Sequence, residues 1–159
     1  MKRVTNFVEL LSGPICKSYI DDIVNSVSHH PEDFYTLYAL MNHSDIKVSW
    51  RSIWALEKLS EIHPDWFSNY QNEITERLIH CTHDGKKRLL LSILYNLPIP
   101  SPIQVHFLDY CLSHMLDLNE SIGVQALAIK MAYKLCVTEP DLLYELKMYL
   151  ENAESEYYS

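Results

Sequence analysis

Asp45-Ile46-Lys47-Val48-Ser49-Trp50-Arg51-Ser52-Ile53-Trp54-Ala55-Leu56-Glu57-Lys58-Leu59, followed by Ile62-His63-Pro64-Asp65-Trp66-Phe67, is the stretch on which the fold turns. Its apolar residues recur at helical spacing, which predicts one long helix over 46–60. Pro64 then breaks the run and opens a second helix in the first turn, where a missing N–H costs little.

Diverged copies of this sentence follow at a fixed offset. Adding 38 to Leu56, Leu59, Pro64, Tyr70, Ile74 and Leu78 lands on Leu94, Leu97, Pro102, Leu108, Leu112 and Leu116. Adding 76 to Leu59, Pro64, Asp65, Phe67 and Tyr70 lands on Leu135, Pro140, Asp141, Leu143 and Leu146. Apolar falls on apolar and Pro on Pro, without a gap. A two-helix unit of this length is the signature of an α-helical repeat array.

The rest of the chain reads the same way. Residues 3–11 form a short first helix, stopped by Ser12-Gly13-Pro14. A second runs over 15–28 with Ile15, Tyr19, Ile23 and Val27 on one face, and a third over 32–42 with Phe34, Leu37, Tyr38 and Met41. Beyond 46–60 come helices over 64–81, 86–96, 102–117, 120–136 and 140–152, divided by His83-Asp84-Gly85, the Pro98/Pro100/Pro102 cluster and Pro140. Residues 1–152 make one helical-repeat domain of eight or nine helices in antiparallel pairs, and 153–159, lacking periodicity, a flexible tail.

Composition narrows the function. The net charge is −8, which argues against non-specific nucleic-acid binding, since that rests on neutralising phosphates with Lys and Arg. Cys16, Cys81, Cys111 and Cys136 are widely spaced without a C-x-x-C pair, which reads as reduced thiols in the cytoplasm. No run of about 18 apolar residues is available to span a membrane.

The segment Asp45…Trp50-Arg51…Ala55-Leu56…Leu59 resembles the second helix of a HEAT repeat, with an Asp in the inter-helix turn and an Arg six residues later. The resemblance covers roughly residues 31–150. It implies an all-α, right-handed α-α superhelix of the HEAT/armadillo kind, in which Asp45 and Arg51 hold neighbouring repeats together by hydrogen bonds. The pair occurs once: the 38-offset partners of Arg51 are Leu89 and Leu127.

In a stacked array each inner helix is apolar on most sides. Helix 120–136 fits, with Ile122, Val124, Leu127, Ile129, Met131, Leu135 and Cys136 leaving a narrow stripe of Gln125 or Ala126, Lys130 and Lys134. The same stripe one repeat back is Arg88, Ser92 and Asn96, and two back Trp50, Trp54 and Lys58. These positions should line the concave face. The inner helices carry Lys47, Arg51, Lys58, Lys86, Lys87, Arg88, Lys130 and Lys134 against Glu57 and Glu120, whereas the outer helices are acidic. Trp50, Trp54, Lys58, Arg88, Ser92, Lys130 and Lys134 are therefore the candidate partner-binding residues, for a protein with an acidic surface. A solvated lysine stripe beside two core tryptophans would give the same pattern, and the exposure of Trp54 separates the two.

No chemistry stands out. His80-Cys81-Thr82-His83-Asp84 and the His106/Tyr110/His114 spacing hold metal-ligand types, but a tetrahedral site needs a converging second element. No strained-turn nucleophile with an adjacent base and no Gly-rich phosphate loop occurs. The expectation is a non-catalytic interaction or scaffold module without metal or cofactor. The alternative is a nucleic-acid-binding protein resembling the HEAT-like DNA alkylation-repair glycosylases, which use tryptophans, basic residues and an Asp on the concave face. This chain has no Asp on the stripe.

Overall fold

The computed structural model describes residues 3–14 and 16–157, and for residues 154–157 the helical backbone alone. Nine α-helices occur among the described residues, and no strand: α1 (Phe7–Ser12), α2 (Lys17–His29), α3 (Phe34–Ala39), α4 (Ile46–Ile62), α5 (Gln71–Ile79), α6 (Asp84–Asn96), α7 (Val105–His114), α8 (Ile122–Cys136) and α9 (Pro140–Tyr157). None is long and apolar enough to cross a membrane. The chain divides into two compact units, Met1–Gln71 and Asn72–Ser159.

Polar side chains start these helices as the local sequence requires. The Asp45 carboxylate accepts from the Lys47 N–H at 2.8 Å to open α4, and the Ser121 hydroxyl from the Val124 N–H at 3.3 Å to open α8. His83 does the same for α6, its Nδ1 taking the Lys86 N–H at 3.2 Å. At α1, Asn6 accepts from the Glu9 N–H while donating to the Glu9 carboxylate, so one pair caps the end from both sides.

In the first unit α4 is buried along most of its circumference, through Val48, Ile53, Ala55, Leu56 and Leu59. The small residues Ser49 and Ser52 are also buried, and both hydroxyls are satisfied locally, by the Met41 and Ser49 carbonyls at 2.7 Å each. Two stretches expected to be plain α-helix wind differently. Residues 31–42 form α3 between 3-10 turns at Pro31–Asp33 and Leu40–Asn42, and Pro64–Tyr70 is a 3-10 helix that reaches α5. A three-residue turn eclipses positions i and i+3, which puts Phe67 and Tyr70 on one side. There both meet Phe34, with ring centroids 5.0 and 6.0 Å away, and Tyr70 also packs 4.4 Å from Tyr38. Aromatic packing has overridden the simpler winding.

The second unit is built on Ile74, Leu78, Leu91, Ile93, Leu94, Cys111, Val124, Ala128 and Leu135, all essentially inaccessible. Here α6 packs along α8, and α8 also carries α7 and α9. Between them lies a buried ion pair: Lys87 Nζ is 2.8 Å from Glu120 Oε1, with the His114 Nε2 3.6 Å from the same oxygen.

Several boundaries differ from the sequence reading. α7 is shorter than 102–117, and α9 carries helical backbone to Tyr157, past the boundary drawn at 152. In α2 the buried face is Ile20, Ile23, Val24 and Val27, while Tyr19 is exposed. Ile15, also expected on that face, lies outside the described residues.

Candidate partner-binding faces

Two helices of the expected stripe behave differently from each other. On α4, Trp50, Trp54 and Lys58 follow one another at four-residue spacing. Trp50 is 42% exposed, Trp54 half-buried, and Lys58 half-buried with its Nζ 3.5 Å from the Asp21 carboxylate. One turn away, Arg51 reaches across to the end of α1 and donates to the Leu11 carbonyl at 2.6 Å and the Gly13 carbonyl at 2.8 Å. Arg51 therefore fastens α4 to the preceding segment, while Asp45 caps its own helix. The two residues are engaged in separate places.

In the second unit the stripe comes together on two neighbouring helices. A Cβ on Gly123 would lie 3.0 Å from Arg88 Cδ, so the Arg88 stem crosses α8 where only hydrogen stands in its way. At the opposite end, Lys134 donates to the carbonyls of Tyr95 and Leu97, the latter at 2.9 Å, and its Nζ sits 5.0 Å over the Tyr95 ring. Burial lowers the Lys134 pKa, consistent with an ammonium drawn off the surface. These two contacts set α6 and α8 side by side and parallel, Arg88 near the start of α8 and Lys134 near the end of α6. Ser92 is half-buried between them in sequence.

The alternative left open at Gln125 or Ala126 resolves to Ala126. The Gln125 amide turns away to donate to the Asp117 carbonyl at 2.5 Å, and Ala126 is exposed. The apolar assignment of Ile122 is corrected: it is 83% exposed, because the helix begins there and turns it outward. With Tyr133 (53%) also exposed, α8 presents Ile122, Ala126, Lys130 and Tyr133 to solvent, and Val137 extends the same face just past its end. Four-residue steps along the stripe pass over Tyr133; the i+3 step from Lys130 reaches it.

The electrostatics are sharper than composition suggested. α8 has no acid, and α6 has only Asp84, in its first turn. Several inner-helix cations are engaged: Arg51 by carbonyls, Lys58 by Asp21, Lys87 by Glu120, Lys134 by the end of α6. Arg88 and Lys130 are exposed and, among the described residues, without an ion-pair or hydrogen-bond partner.

The residues of the metal-like constellations are occupied elsewhere. His80 and His106 pair with Glu76, and Cys81 Sγ approaches the His83 carbonyl at 3.6 Å. His114 stacks on Tyr110 with ring centroids 3.8 Å apart and bonds the Tyr110 carbonyl through Nδ1. Among the described residues no group of three or more His, Cys, Asp or Glu side chains is placed to hold a metal ion. The buried thiols are poor nucleophiles, since burial pushes Cys111 up to about 12 and raises Cys136 as well.

No curated protein and no solved structure matches this chain. A family model for the HEAT repeat domain matches residues 7–159, which takes in both units and every helix described above. The chain belongs to the HEAT repeat domain family.

Proposed function

We propose that this protein is a non-catalytic interaction module that docks a protein partner with an acidic surface, serving as a scaffold in the cytoplasm. The observation that carries the reading is the acid-poor face of α6 and α8, with Asp84 as its one acid, on which Arg88 and Lys130 have no partner among the described residues in a chain of net charge −8. Exposed Tyr133, Ile122 and Val137 supply apolar and aromatic area beside those charges, the combination that carries binding energy at protein interfaces. On α4 of the first unit, Trp50 and the rim of Trp54 are further contact residues. Lys58, Ser92 and Lys134 complete the set, with Lys58 and Lys134 also holding local structure. Four free cysteines, two of them buried, fit a reducing compartment.

The test is affinity capture with the wild-type chain and with R88E/K130E. Loss of the captured protein in the variant, with wild-type circular dichroism, supports the reading; equal capture by both contradicts it. Salt-sensitive retention on DNA would transfer the same face to a nucleic-acid partner.

A further inference from the structure

We propose that the partner of the α6–α8 face is the outward face of α9 in a second copy of this chain. The inference rests on reading the α6–α8 face as a protein-binding surface and names its occupant. The argument begins with α9. This helix turns Leu146 inward and lines a small apolar crevice with Leu108, Leu112 and Cys136. Glu145 and Tyr149 line the same crevice. The opposite side carries exposed Tyr144 (66%) and Met148 among exposed Asp141, Lys147 and Glu151. Two acids against one lysine leave this face net negative, with one aromatic and one thioether anchor.

The α6–α8 face is its counterpart in both respects. Arg88 and Lys130 meet acids, and Ile122, Tyr133 and Val137 meet Tyr144 and Met148. The α9 stretch fits within the length of the face: Ile122 to Cys136 spans about 21 Å of helix and Asp141 to Glu151 about 15 Å, at 1.5 Å per residue. Within one chain the contact cannot form, because α9 already meets α8 through its Leu146 side. A symmetric pairing of α8 with α8 would set Lys130 and Arg88 against their own copies, a like-charge arrangement. The two faces differ, so the contact is heterologous and runs head to tail.

Its strength is bounded by its size. One pair of crossing helix faces falls in the class of small, transient interfaces below about 1,200 Å². The net charge of −8 also drives copies apart, so the contact is best read near 0.15 M salt, where the Debye length is about 8 Å and the long-range field is screened.

Sedimentation velocity on the full chain tests it, over a range of roughly 10–500 μM chosen for weak association. The wild type should show a weight-average sedimentation coefficient that rises with concentration. R88E/K130E alone and D141K/E151K alone should each stay monomeric, and an equal mixture of the two should recover the rise, because each reversed face then meets a reversed partner. Thermal midpoints of both variants guard against misfolding, and Tyr133→Ser, which changes no charge, should weaken the association independently. A wild type monomeric throughout, association indifferent to either reversal, or a mixture that stays monomeric would each overturn the proposal. Association lost in R88E/K130E but kept in D141K/E151K would overturn it too, by indicating another acidic surface. If the wild type is monomeric while R88E/K130E still loses the partner captured above, self-docking falls and the protein-binding reading stands; if neither association nor capture is seen, both fall.

Discussion

α4 and α8 occupy equivalent places in the 38-residue repeat, yet they use their cations in opposite ways. On α4 the strong donor is turned inward: Arg51 holds two carbonyls at the end of α1, and Lys58 leans on Asp21, leaving Trp50 exposed and Lys47 in solvent in the first turn. On α8 only the last cation is held, Lys134 at the end of α6, while Lys130 stands in solvent beside Tyr133. Along its length the first helix is fastened by Arg51 and Lys58, with only Lys47 of its first turn in solvent; the second displays Lys130 at mid-helix. A basic residue on an inner helix is therefore no measure of available charge until the carbonyls and carboxylates around it are counted.

That contrast can be broken most forcefully at the buried ion pair. Glu120→Gln leaves the Lys87 ammonium with its main partner uncharged and should destabilise the second unit by about 3 kcal/mol in denaturant unfolding. Lys87→Met on the same background should recover part of the loss, since replacing both partners removes the uncompensated charge.

Arg51→Ala comes next. It abandons two part-buried carbonyls and should cost about 2 kcal/mol, with Arg51→Lys recovering only part, because one ammonium on a flexible stem does not reproduce the planar guanidinium. A cost below about 0.5 kcal/mol, as for an ordinary surface residue, would remove the fastening role assigned to α4.

Smaller effects sharpen the comparison. Gly123→Ala sets a Cβ against the end of a flexible, exposed arginine, which can move aside, and Ala is the better helix former. Stability should hold or rise by up to about 1 kcal/mol, while Arg88 is displaced and binding through the α6–α8 face weakens. The smallest effect is chemical. Cys16 is exposed and its thiol pKa is lowered, first by a hydrogen bond with the Ser18 hydroxyl, whereas desolvation raises Cys111 and Cys136. Thiol alkylation of the native chain should therefore label Cys16 first, with a rate that rises with pH as the thiolate forms, and spare Cys111 and Cys136 until unfolding.

The sequence made the helices legible because Pro31, Pro64 and Pro140 open helical segments and the apolar steps between them are regular. It also placed α6 and α8 alongside: the 38-residue offset pairs Asn96 with Lys134, and Lys134 does reach the carbonyls of Tyr95 and Leu97. What it could not show were contacts between residues far apart in the chain. Arg51 and the Leu11 carbonyl are 40 positions apart, and a backbone acceptor leaves no mark on residue type. The 3-10 winding of Pro64–Tyr70 was hidden for a similar reason, since it follows from where Phe34 lies in space. On the face itself Arg88, Lys130 and Lys134 were legible as charge, but Tyr133 and Ile122 were not, because a stripe of four-residue steps is narrower than the surface a helix exposes.

On the proposed reading Arg88 and Lys130 leave the fold alone and do the binding. R88E/K130E measured for thermal midpoint and partner capture on one preparation tests it most directly. The expected midpoint lies within about 2 °C of wild type, equivalent to less than about 1 kcal/mol in a chain of this size, together with loss of capture. A midpoint lower by about 6 °C or more, or capture that survives both reversals, would contradict it.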